Sequence, residues 1–304
     1  MKKHFSGLSL LVAGSLLATI AFTGCDGDND DPALPPIGGY NNSDEVAAAN
    51  LKANWTLDGS GNERISGATP TSIAGVSFTG GVRGQAATFN NGYIYYNSAV
   101  GGALASNQPF SVSAWIKAAN NGLAGGSPPA NNHPLQYFQL ARPGQLFGSI
   151  NLLYEAGSFP IASDTMNLKS LYYDGGGFQD AVLCCGTAGV DYKVVKKAGT
   201  GSWVHLVTTY NPTGGTGNES IFRIYADSVQ VNNTLYENRG AASYVYVPHQ
   251  VIIGGWYNNI PGMAVSGDPW TTPFTGMIDD VRLFNKALTP AEISALYKLG
   301  LAGR

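Results

Sequence analysis

The fold class is decided by Phe110-Ser111-Val112-Ser113-Ala114-Trp115-Ile116-Lys117. Every second residue from Phe110 to Ile116 is apolar, which is the period of a half-buried β-strand. Similar runs, separated by turns rich in Gly, Asn, Pro and Ser, recur at 203–211, 221–227, 244–247, 251–253 and 277–285. Because these runs do not alternate with helical segments, they predict an all-β sandwich or barrel rather than βαβ units.

One short helix is expected at the end of the chain. In Thr289-Pro290-Ala291-Glu292, Thr289 is placed to cap a helix, Pro290 suits its first turn and Glu292 completes a capping box. Three further stretches look like insertions that form loops at the rim of the sandwich, at 120–133, 211–219 and 256–273.

The composition excludes several classes of protein. Charged residues make up 12% of the 304 residues, and glycine occurs 40 times, a balance that suits strands and turns better than charged helices. With 17 Lys and Arg against 20 Asp and Glu, the net charge is −3. The basic excess that nucleic-acid binding needs is therefore missing. Three Cys and four His without HExxH or CxxC spacing predict no transition-metal site.

The N-terminus predicts export. Lys2-Lys3 precede an apolar stretch, 8–22, that is too short for a stable membrane span and is typical of a secretory signal. It ends at Phe22-Thr23-Gly24-Cys25, which resembles the lipobox of bacterial lipoproteins, where the Cys carries the lipid and becomes the new N-terminus. We expect a signal peptide at 1–24 and lipidation of Cys25. The alternative is an ordinary signal peptide followed by an incidental cysteine.

An acidic segment rich in Pro and Gly follows Cys25. The run Asp26-Gly27-Asp28-Asn29-Asp30-Asp31 resembles the export signal of Bacteroidetes-type surface lipoproteins, and the alternative is a solvated, disordered spacer. We expect a tether at 25–46, in which nothing packs, and one domain at 47–304. The chain would be anchored by its lipid to the outer face of the outer membrane.

Five segments carry a family resemblance. In chain order they are Asn54-Trp55-Thr56-Leu57-Asp58-Gly59, Gly84-Gln85-Ala86-Ala87-Thr88-Phe89, the stretch 110–117, Trp203-Val204-His205-Leu206-Val207, and Phe274-Thr275-Gly276-Met277-Ile278-Asp279-Asp280-Val281-Arg282-Leu283-Phe284-Asn285-Lys286-Ala287-Leu288. Together they resemble the laminin-G-like, concanavalin A-like jelly roll over about residues 50–300. The resemblance implies a sandwich of two antiparallel sheets with a short C-terminal helix. It does not specify a function, because this fold hosts lectins, carbohydrate-binding modules, glycosidases, lyases and adhesion domains.

The sequence does not predict catalysis. Glycosidases need two carboxylates flanking the scissile bond, and a strand commonly delivers them as an acid-x-acid pair on one face. The ExDxE pattern of the jelly-roll glucanases is absent, and the neighbours Asp279 and Asp280 point to opposite faces of one strand. A glycoside hydrolase or lyase, with a site assembled by folding, is therefore the less favoured alternative.

Two clusters are candidate glycan-binding sites, because aromatic faces contact sugar rings and planar polar groups bind hydroxyls. The first cluster comprises Trp256, Tyr257, Asn258, Asn259, Asp268 and Trp270. The second comprises Tyr172, Tyr173, Asp174, Phe178 and Gln179, and alternation makes one of its two tyrosines a core residue. Further polar contacts would come from Arg142 and His133, near Gln136, Tyr137 and Gln139. The alternative is that Trp256 or Trp270 simply closes one end of the sandwich.

Asp279 is the candidate metal ligand. It shares a strand face with Val281 and Leu283, so it points inward, and a buried carboxylate needs a partner. Modules that resemble this chain often hold a structural calcium between the first and last strand regions, which implies Asp58 and Glu63 as further ligands. The alternative is that Asp279 accepts backbone hydrogen bonds from the turn at 58–63. We expect no required cofactor, with a structural calcium as the possible exception.

Cys184-Cys185 is unusual in an exported chain, where thiols tend to pair. A bond between adjacent cysteines would be strained and would form a stiff apolar plate beside a ligand. Two reduced side chains on opposite faces of a strand are the favoured alternative, since alternation predicts that arrangement.

The export and lipidation signals, together with the expected fold, predict a surface-anchored lipoprotein that binds a glycan and assists polysaccharide capture and use. Its partners would be a glycan and surface uptake proteins, with membrane contact only through the lipid. The alternative is a protein-adhesion or scaffold module with an exposed apolar patch. Glycan binding predicts that Trp256 and Trp270 line a groove, whereas adhesion predicts that both are buried.

Overall fold

The computed structural model describes residues 34–98, 104–119, 134–154, 163–184, 186–197, 201–245, 250–268 and 270–304. Within these ranges it contains fifteen β-strands and one α-helix. In chain order they are β1 Leu51–Trp55, β2 Ser72–Gly80, β3 Gln85–Tyr96, β4 Phe110–Lys117, β5 Leu135–Ala141, β6 Ile150–Tyr154, β7 Thr165–Met166, β8 Leu168–Tyr173, β9 Phe178–Val182, β10 Val195–Lys196, β11 Val204–Asn211, β12 Ile221–Ala226, β13 Val229–Gln230, β14 Gln250–Ile253, β15 Phe274–Phe284 and α1 Pro290–Leu301.

Thirteen of these strands form one antiparallel sheet that curls into two layers. Hydrogen-bonded neighbours follow the order β13-β12-β11-β4-β15-β3-β14-β5-β6-β8-β9, with β1 beside β15 and β2 beside β3. Layer A is the part from β13 to β15 together with β1, and layer B is the part from β3 to β9 together with β2. Strand β15 pairs with both β4 and β3, so it joins the two layers. Strands β7 and β10 form a separate two-stranded sheet.

The main apolar core lies between layers A and B. The ring centroids of Trp55 in layer A and Phe138 in layer B are 5.8 Å apart. Those of Tyr172 in layer B and Tyr210 in layer A are 4.8 Å apart. All four side chains are fully buried, which is the stabilising contribution that a sandwich gains from facing sheets. The expected all-β jelly-roll sandwich is confirmed.

The two clearest local predictions are confirmed. Strand β4 covers the predicted stretch 110–117, and seven of its eight residues are buried. Helix α1 begins at Pro290, with Thr289 Oγ1 accepting from the Glu292 N–H at 3.2 Å and Glu292 Oε2 accepting from the Thr289 N–H at 2.9 Å. This reciprocal capping box satisfies two of the N–H groups that a helix start leaves unpaired.

The predicted strand at 244–247 is wrong for the two residues that are described. The Tyr244 N–H donates to the Tyr210 hydroxyl at 3.0 Å, and the Val245 N–H donates to the Tyr173 carbonyl at 2.8 Å. These donors bond to different strands instead of forming a ladder with one neighbour. Residues 246–249 lie outside the described residues.

Residues 36–46 belong to the domain rather than to a tether. Ile37, Tyr40 and Val46 pack with α1 on the outer face of layer A, and Val46 is fully buried. Residues Pro36–Arg304 form one compact unit. The predicted boundary between 46 and 47 is therefore about ten residues too late, because a segment rich in Gly and Asn still supplies three apolar anchors.

The predicted signal peptide, Cys25, the acidic run and the loop 120–133 all lie outside the described residues. In the described part of the chain, no helix combines the length and apolar character needed to cross a membrane. Cys184 is disulfide-bonded, and its partner lies outside the described residues. The expected pair of reduced cysteines on opposite strand faces is therefore wrong.

Candidate functional site

The predicted insertion between β14 and β15 covers part of the outer face of layer B. Its two ends meet at Gly254, whose N–H donates to the Tyr137 carbonyl at 3.2 Å and whose carbonyl accepts from the Phe274 N–H at 2.7 Å. Gly254 has a φ of +78°, and a Cβ there would lie 2.5 Å from a ring carbon of Phe89. Only glycine fits this close approach. Because both hydrogen bonds are made by Gly254, the insertion begins and ends side by side at this residue.

Trp256 anchors the insertion to the sheet. Its side chain is 1% exposed, and its Nε1 donates to the Pro134 carbonyl at 3.1 Å. The ring packs with Leu153 and Leu171 on the outer face of layer B. The predicted contact between Trp256 and a sugar is therefore wrong, since no face of the ring is accessible.

Trp270 and Asp268 lie at the edge of the insertion, and both are half-buried. The Trp270 ring meets the Trp256 ring edge-on, with centroids 5.1 Å apart. The Asp268 backbone carbonyl accepts from the Thr271 hydroxyl at 2.9 Å. One tryptophan is buried and the other is half-buried. The structure therefore matches neither the groove lined by both tryptophans, which glycan binding predicts, nor the burial of both, which adhesion predicts.

Asn258 and Asn259 hold the insertion together. Asn258 Nδ2 donates to the Ser266 carbonyl at 3.0 Å. Asn259 Oδ1 accepts from the Trp256 N–H at 2.8 Å, and its Nδ2 donates to the Thr271 carbonyl at 2.9 Å. Since both side chains bond within the loop, their predicted contacts with sugar hydroxyls are replaced by a structural role.

Tyr257 lines an open groove of about 490 Å³ between the insertion and the outer face of layer B. We call it the tyrosine groove; its lining residues are Thr71, Ser72, Tyr93, Tyr95, Asn97, Gln250, Tyr257, Ile260, Pro261 and Met263. The volume falls within the range of small-molecule sites in proteins. Among these described lining residues there is no Asp or Glu, so the groove itself presents no pair of carboxylates of the kind that glycoside hydrolysis uses.

Asn97 organises the polar part of the tyrosine groove. Its Oδ1 accepts from the Tyr95 hydroxyl at 3.0 Å and from Gln250 Nε2 at 3.1 Å. Burial raises the pKa of Tyr95, and the nearby Tyr257 raises it further, so the phenol keeps the proton that it donates at neutral pH. Because two donors fix the Asn97 carbonyl, the amide nitrogen of this exposed residue is an oriented hydrogen-bond donor.

Sequence reasoning misses Tyr95, Asn97 and Gln250. Tyr93, Tyr95 and Asn97 are two residues apart along the end of β3, so alternation is a usable signal that they share one face. Gln250 is 153 residues from Asn97 in the chain, and no local pattern relates the two.

A second aromatic surface lies on the other side of the loop that joins β5 to β6. The Gly144 N–H of this loop donates to the Tyr257 hydroxyl at 2.8 Å. In the same loop, Arg142 Cζ lies 3.8 Å from the ring centroid of Tyr173 and 5.4 Å from that of Phe178. We call Arg142, Tyr173 and Phe178 the Arg142 platform. One loop therefore contacts both the tyrosine groove and the Arg142 platform.

The second predicted cluster is divided between this platform and the core. Tyr173 is half-buried on the platform, whereas Tyr172 is fully buried and its hydroxyl donates to the Ala242 carbonyl at 3.2 Å. Alternation thus correctly assigns one tyrosine to the core, and the glycan contact predicted for Tyr172 is wrong. His133 lies outside the described residues. Three other predicted neighbours are buried, namely Gln136, Tyr137 and Gln139.

The three predicted calcium ligands are not brought together. Glu63 is buried, and its Oε1 and Oε2 accept from the N–H groups of Asn54 at 2.7 Å and Ser66 at 2.6 Å. Asp58 Oδ1 accepts from the Gln85 N–H at 2.7 Å. Among the described residues, no three His, Cys, Asp or Glu side chains are placed to hold a metal ion. Backbone donors satisfy Glu63 and Asp58 instead.

Asp279 is bonded to the hairpin between β2 and β3. Its Oδ2 accepts from the N–H groups of Val82 at 2.7 Å and Arg83 at 3.1 Å. Its Oδ1 is buried and has no hydrogen-bond partner among the described residues. Asp279 therefore accepts backbone hydrogen bonds as the alternative predicts, but the donors belong to this hairpin rather than to the turn at 58–63.

Comparisons with solved structures find similar folds at low identity. Domain 4 of AbnA, a GH43 extracellular arabinanase from Geobacillus stearothermophilus solved with arabinotriose, is 18% identical, with a TM-score of 0.49 over 81% of this chain and 98% of that one. The binding domain of botulinum neurotoxin DC in complex with SialylT is 11% identical, with a TM-score of 0.50 over 84% of this chain and 52% of that one. This chain therefore spans about half the length of that toxin domain, and the likeness concerns the fold alone.

Comparison with curated proteins finds no match to the sequence. A family model does match: that of the concanavalin A-like lectin/glucanases superfamily, Laminin_G_3, over residues 89–294. The matched region covers about two thirds of the chain and runs from β3 into α1, which includes most of the curled sheet and most of the tyrosine groove. The chain therefore belongs to the Laminin_G_3 family of the concanavalin A-like lectin/glucanases superfamily.

Proposed function

We propose that the chain is a glycan-binding module of a surface lipoprotein, which captures polysaccharide for neighbouring uptake proteins. The tyrosine groove carries this proposal. It is concave, three tyrosines that are each 5–6% exposed line its wall, and the Asn97 amide nitrogen is oriented as a donor for a sugar hydroxyl. Tyrosine and amide side chains are together suited to the alternating apolar and hydroxyl surface of a sugar ring.

The position of the N-terminal segment supports a tethered role. Residues 36–46 pack on the outer face of layer A, while the tyrosine groove lies on the outer face of layer B. The first residues of the compact unit therefore lie on the layer opposite to the one that carries the groove. Labelling of cells with a radioactive fatty acid, followed by membrane fractionation of the wild type and a Cys25→Ser variant, tests the proposed anchor.

A glycan array tests the proposed function. The full chain is applied to the array, and bound glycans and released reducing ends are both measured. Retention of a glycan without release supports a capture module. Release of reducing ends would replace the proposal with an enzyme of the same fold, and no retention on any glycan would overturn it.

Replacing Asn97 by alanine is expected to weaken glycan binding about tenfold. The change removes the oriented amide donor and leaves the Tyr95 hydroxyl and Gln250 Nε2 without their shared acceptor, which corresponds to the loss of one good hydrogen bond. Isothermal titration with the glycan selected on the array gives the affinities.

The matched control is Asn90→Ala, a change at an exposed asparagine of β3 that does not line the groove. It should leave the affinity unchanged. Equal affinities for wild type and Asn97→Ala would show that the ligand does not bind in the tyrosine groove.

A protein-adhesion module is the second candidate, favoured by exposed apolar side chains in two segments of the chain. Five exposed large hydrophobic residues lie within 190–194 and 229–236, namely Val190, Val194, Val229, Leu235 and Tyr236. Residues 189–193, 230–232 and Thr234 line a cavity of about 250 Å³, to which Val190 contributes. Exposed apolar patches are typical of protein-binding surfaces. An array without any bound glycan would move this candidate to first place.

A further inference from the structure

Arg142 is a half-buried cation without a counter-ion among the described residues. Its Nε donates to the Phe147 carbonyl at 3.1 Å, and one face of its guanidinium group lies over Tyr173. Cation–π contact orients the group and shields it partly from water. This packing leaves the terminal nitrogens, at the edge of the guanidinium plane, available as hydrogen-bond donors.

The nearest acidic residues of the platform strands are already bonded to other groups. Asp174 Oδ1 accepts from the Gly177 N–H at 2.7 Å, and its Oδ2 accepts from Gln179 Nε2 at 2.7 Å. Asp180 pairs with Lys169, with an N–O distance of 3.5 Å. The platform therefore supplies no carboxylate to Arg142, although partly desolvated charges are normally paired.

The chemistry of an oriented guanidinium edge is specific. Its planar N–H donors match the two oxygens of a carboxylate or of a sulfate ester, and such bonds are shorter and stronger than bonds between neutral groups. Half-buried rings extend the platform, because Phe147 lies 5.4 Å from Phe178 and 6.3 Å from Trp270 between centroids. The surface around Arg142 therefore combines aromatic ring faces with one planar, positively charged group of hydrogen-bond donors.

We infer that the Arg142 platform binds an anionic substituent, a carboxylate or a sulfate ester, of an acidic glycan whose neighbouring sugars lie in the tyrosine groove. The inference rests on the proposed glycan-binding function and names its ligand class. Arg142 and Gly144 are two residues apart, so their Cα atoms are separated by at most about 7 Å. Since Gly144 bonds to Tyr257 of the groove, one oligosaccharide spans both surfaces.

Oligogalacturonate, its neutral methyl ester and a carrageenan oligosaccharide test this inference by titration against the full chain. The first probe carries carboxylates, the second has the same sugars without charge, and the third carries sulfate esters. We expect a charged probe to bind at least tenfold more tightly than the methyl ester, with an advantage that declines as salt is added. The better of the two charged probes identifies the anionic group.

The Arg142→Met variant keeps much of the apolar stem and removes the charge. It should lose the preference for the charged probe, so that its affinity for that probe falls to its affinity for the methyl ester. Arg142→Lys, which keeps a charge without the planar fork, should bind the charged probe with intermediate affinity. The control is Lys298→Met, at an exposed position on α1, which should retain the full preference.

The possible failures are distinguishable. Binding of neutral glycans without any preference for charge, or an unchanged preference in Arg142→Met, would overturn the inference and leave the proposed function standing. Binding of neither charged nor neutral glycans would overturn both. Loss of preference in the Lys298→Met control as well would show that the effect arises from net charge rather than from the platform, and this would also overturn the inference.

Discussion

Replacing Arg282 by methionine is expected to lower the free energy of unfolding by about 3–5 kcal/mol. The Arg282 side chain is 1% exposed and lies on β15. Its Nε donates to both Asp280 carboxylate oxygens, at 2.9 and 3.0 Å, and its Nη1 donates to the Ser43 carbonyl at 2.7 Å. The variant leaves a buried carboxylate and a carbonyl without their partner, and removal of one member of a buried pair is strongly destabilising.

The loss should extend to the N-terminal segment. Arg282 Nη2 also donates to Asp44 at 2.9 Å, and Arg83 donates to both oxygens of the same carboxylate. Burial alone would raise the pKa of Asp44, but the Arg83 hydrogen bond and the charges of Arg282, Arg83 and Arg64 hold it well below its usual range. Amide hydrogen exchange at 36–46 should therefore accelerate in the Arg282→Met variant more than exchange in the core strands.

Arg64→Met is the matched control, because Arg64 pairs with the same Asp44 carboxylate from the surface. The two side chains are 43% and 27% exposed, and exposed ion pairs contribute at most about 1 kcal/mol. Urea unfolding of both variants measures the difference. A loss below about 1 kcal/mol for Arg282→Met would contradict a structural role for the buried network, and Arg282→Lys should give an intermediate loss if the planar fork contributes.

Strand β4 and helix α1 can be predicted from the sequence because their signals are local. The alternation in 110–117 and the capping box at Thr289 and Glu292 each depend on residues a few positions apart. The packing of 36–46 onto the domain cannot be predicted in that way. It depends on Arg282, more than 230 positions later in the chain, and on three scattered apolar anchors.

The candidate site shows the same division. The insertion before β15 borders the tyrosine groove, and Tyr257, which the sequence nominates for glycan binding, lines it. Its contact with a sugar stays a prediction. The role of Trp256 cannot be predicted from composition, because a loop tryptophan either faces solvent or anchors its loop, and only tertiary contacts with Leu153 and Leu171 decide which. The partners of Tyr257 come from β3 and β14, which are brought together only by the sheet order.

Asp279 is expected to reduce the stability of the fold as the pH rises from about 4 to 7. Its carboxyl group is fully buried, and burial raises its pKa to about 7, with the neighbouring Asp280 adding to the effect and the N–H groups of Arg83 and Val82 opposing it. An aspartate in an unfolded chain has a pKa of about 3.9. Between these values the folded state holds a proton that the unfolded state has released, so the free energy of unfolding declines with increasing pH.

His205 acts in the opposite direction. Burial lowers the pKa of this histidine to about 3, with a further contribution from the positive charge of Arg282, whereas an unfolded histidine has a pKa of about 6.5. The unfolded state therefore takes up a proton that the folded state does not, and stability is lost as the pH falls below about 6.5. From pH 4 to 6.5 the contributions of Asp279 and His205 to the free energy of unfolding oppose each other. Neither would therefore be visible in the pH dependence of the wild-type stability.

The Asp279→Asn variant separates the two effects. Its amide oxygen can still accept from Val82 and Arg83, and its amide nitrogen takes the place of the unpartnered Oδ1. The difference in unfolding free energy between variant and wild type should grow in favour of the variant by about 1.4 kcal/mol per pH unit from pH 4 to 7, on the order of 4 kcal/mol in all.

Urea unfolding of both proteins at pH 4.5, 5.5, 6.5 and 7.5, in EDTA and in calcium, measures this difference. A calcium ion bound at Asp279 would keep the carboxylate ionised, so calcium would stabilise the wild type alone and abolish the slope. A difference that stays constant with pH in EDTA would show that Asp279 does not titrate in this range, and that a hydrogen-bonded hairpin tolerates its buried charge.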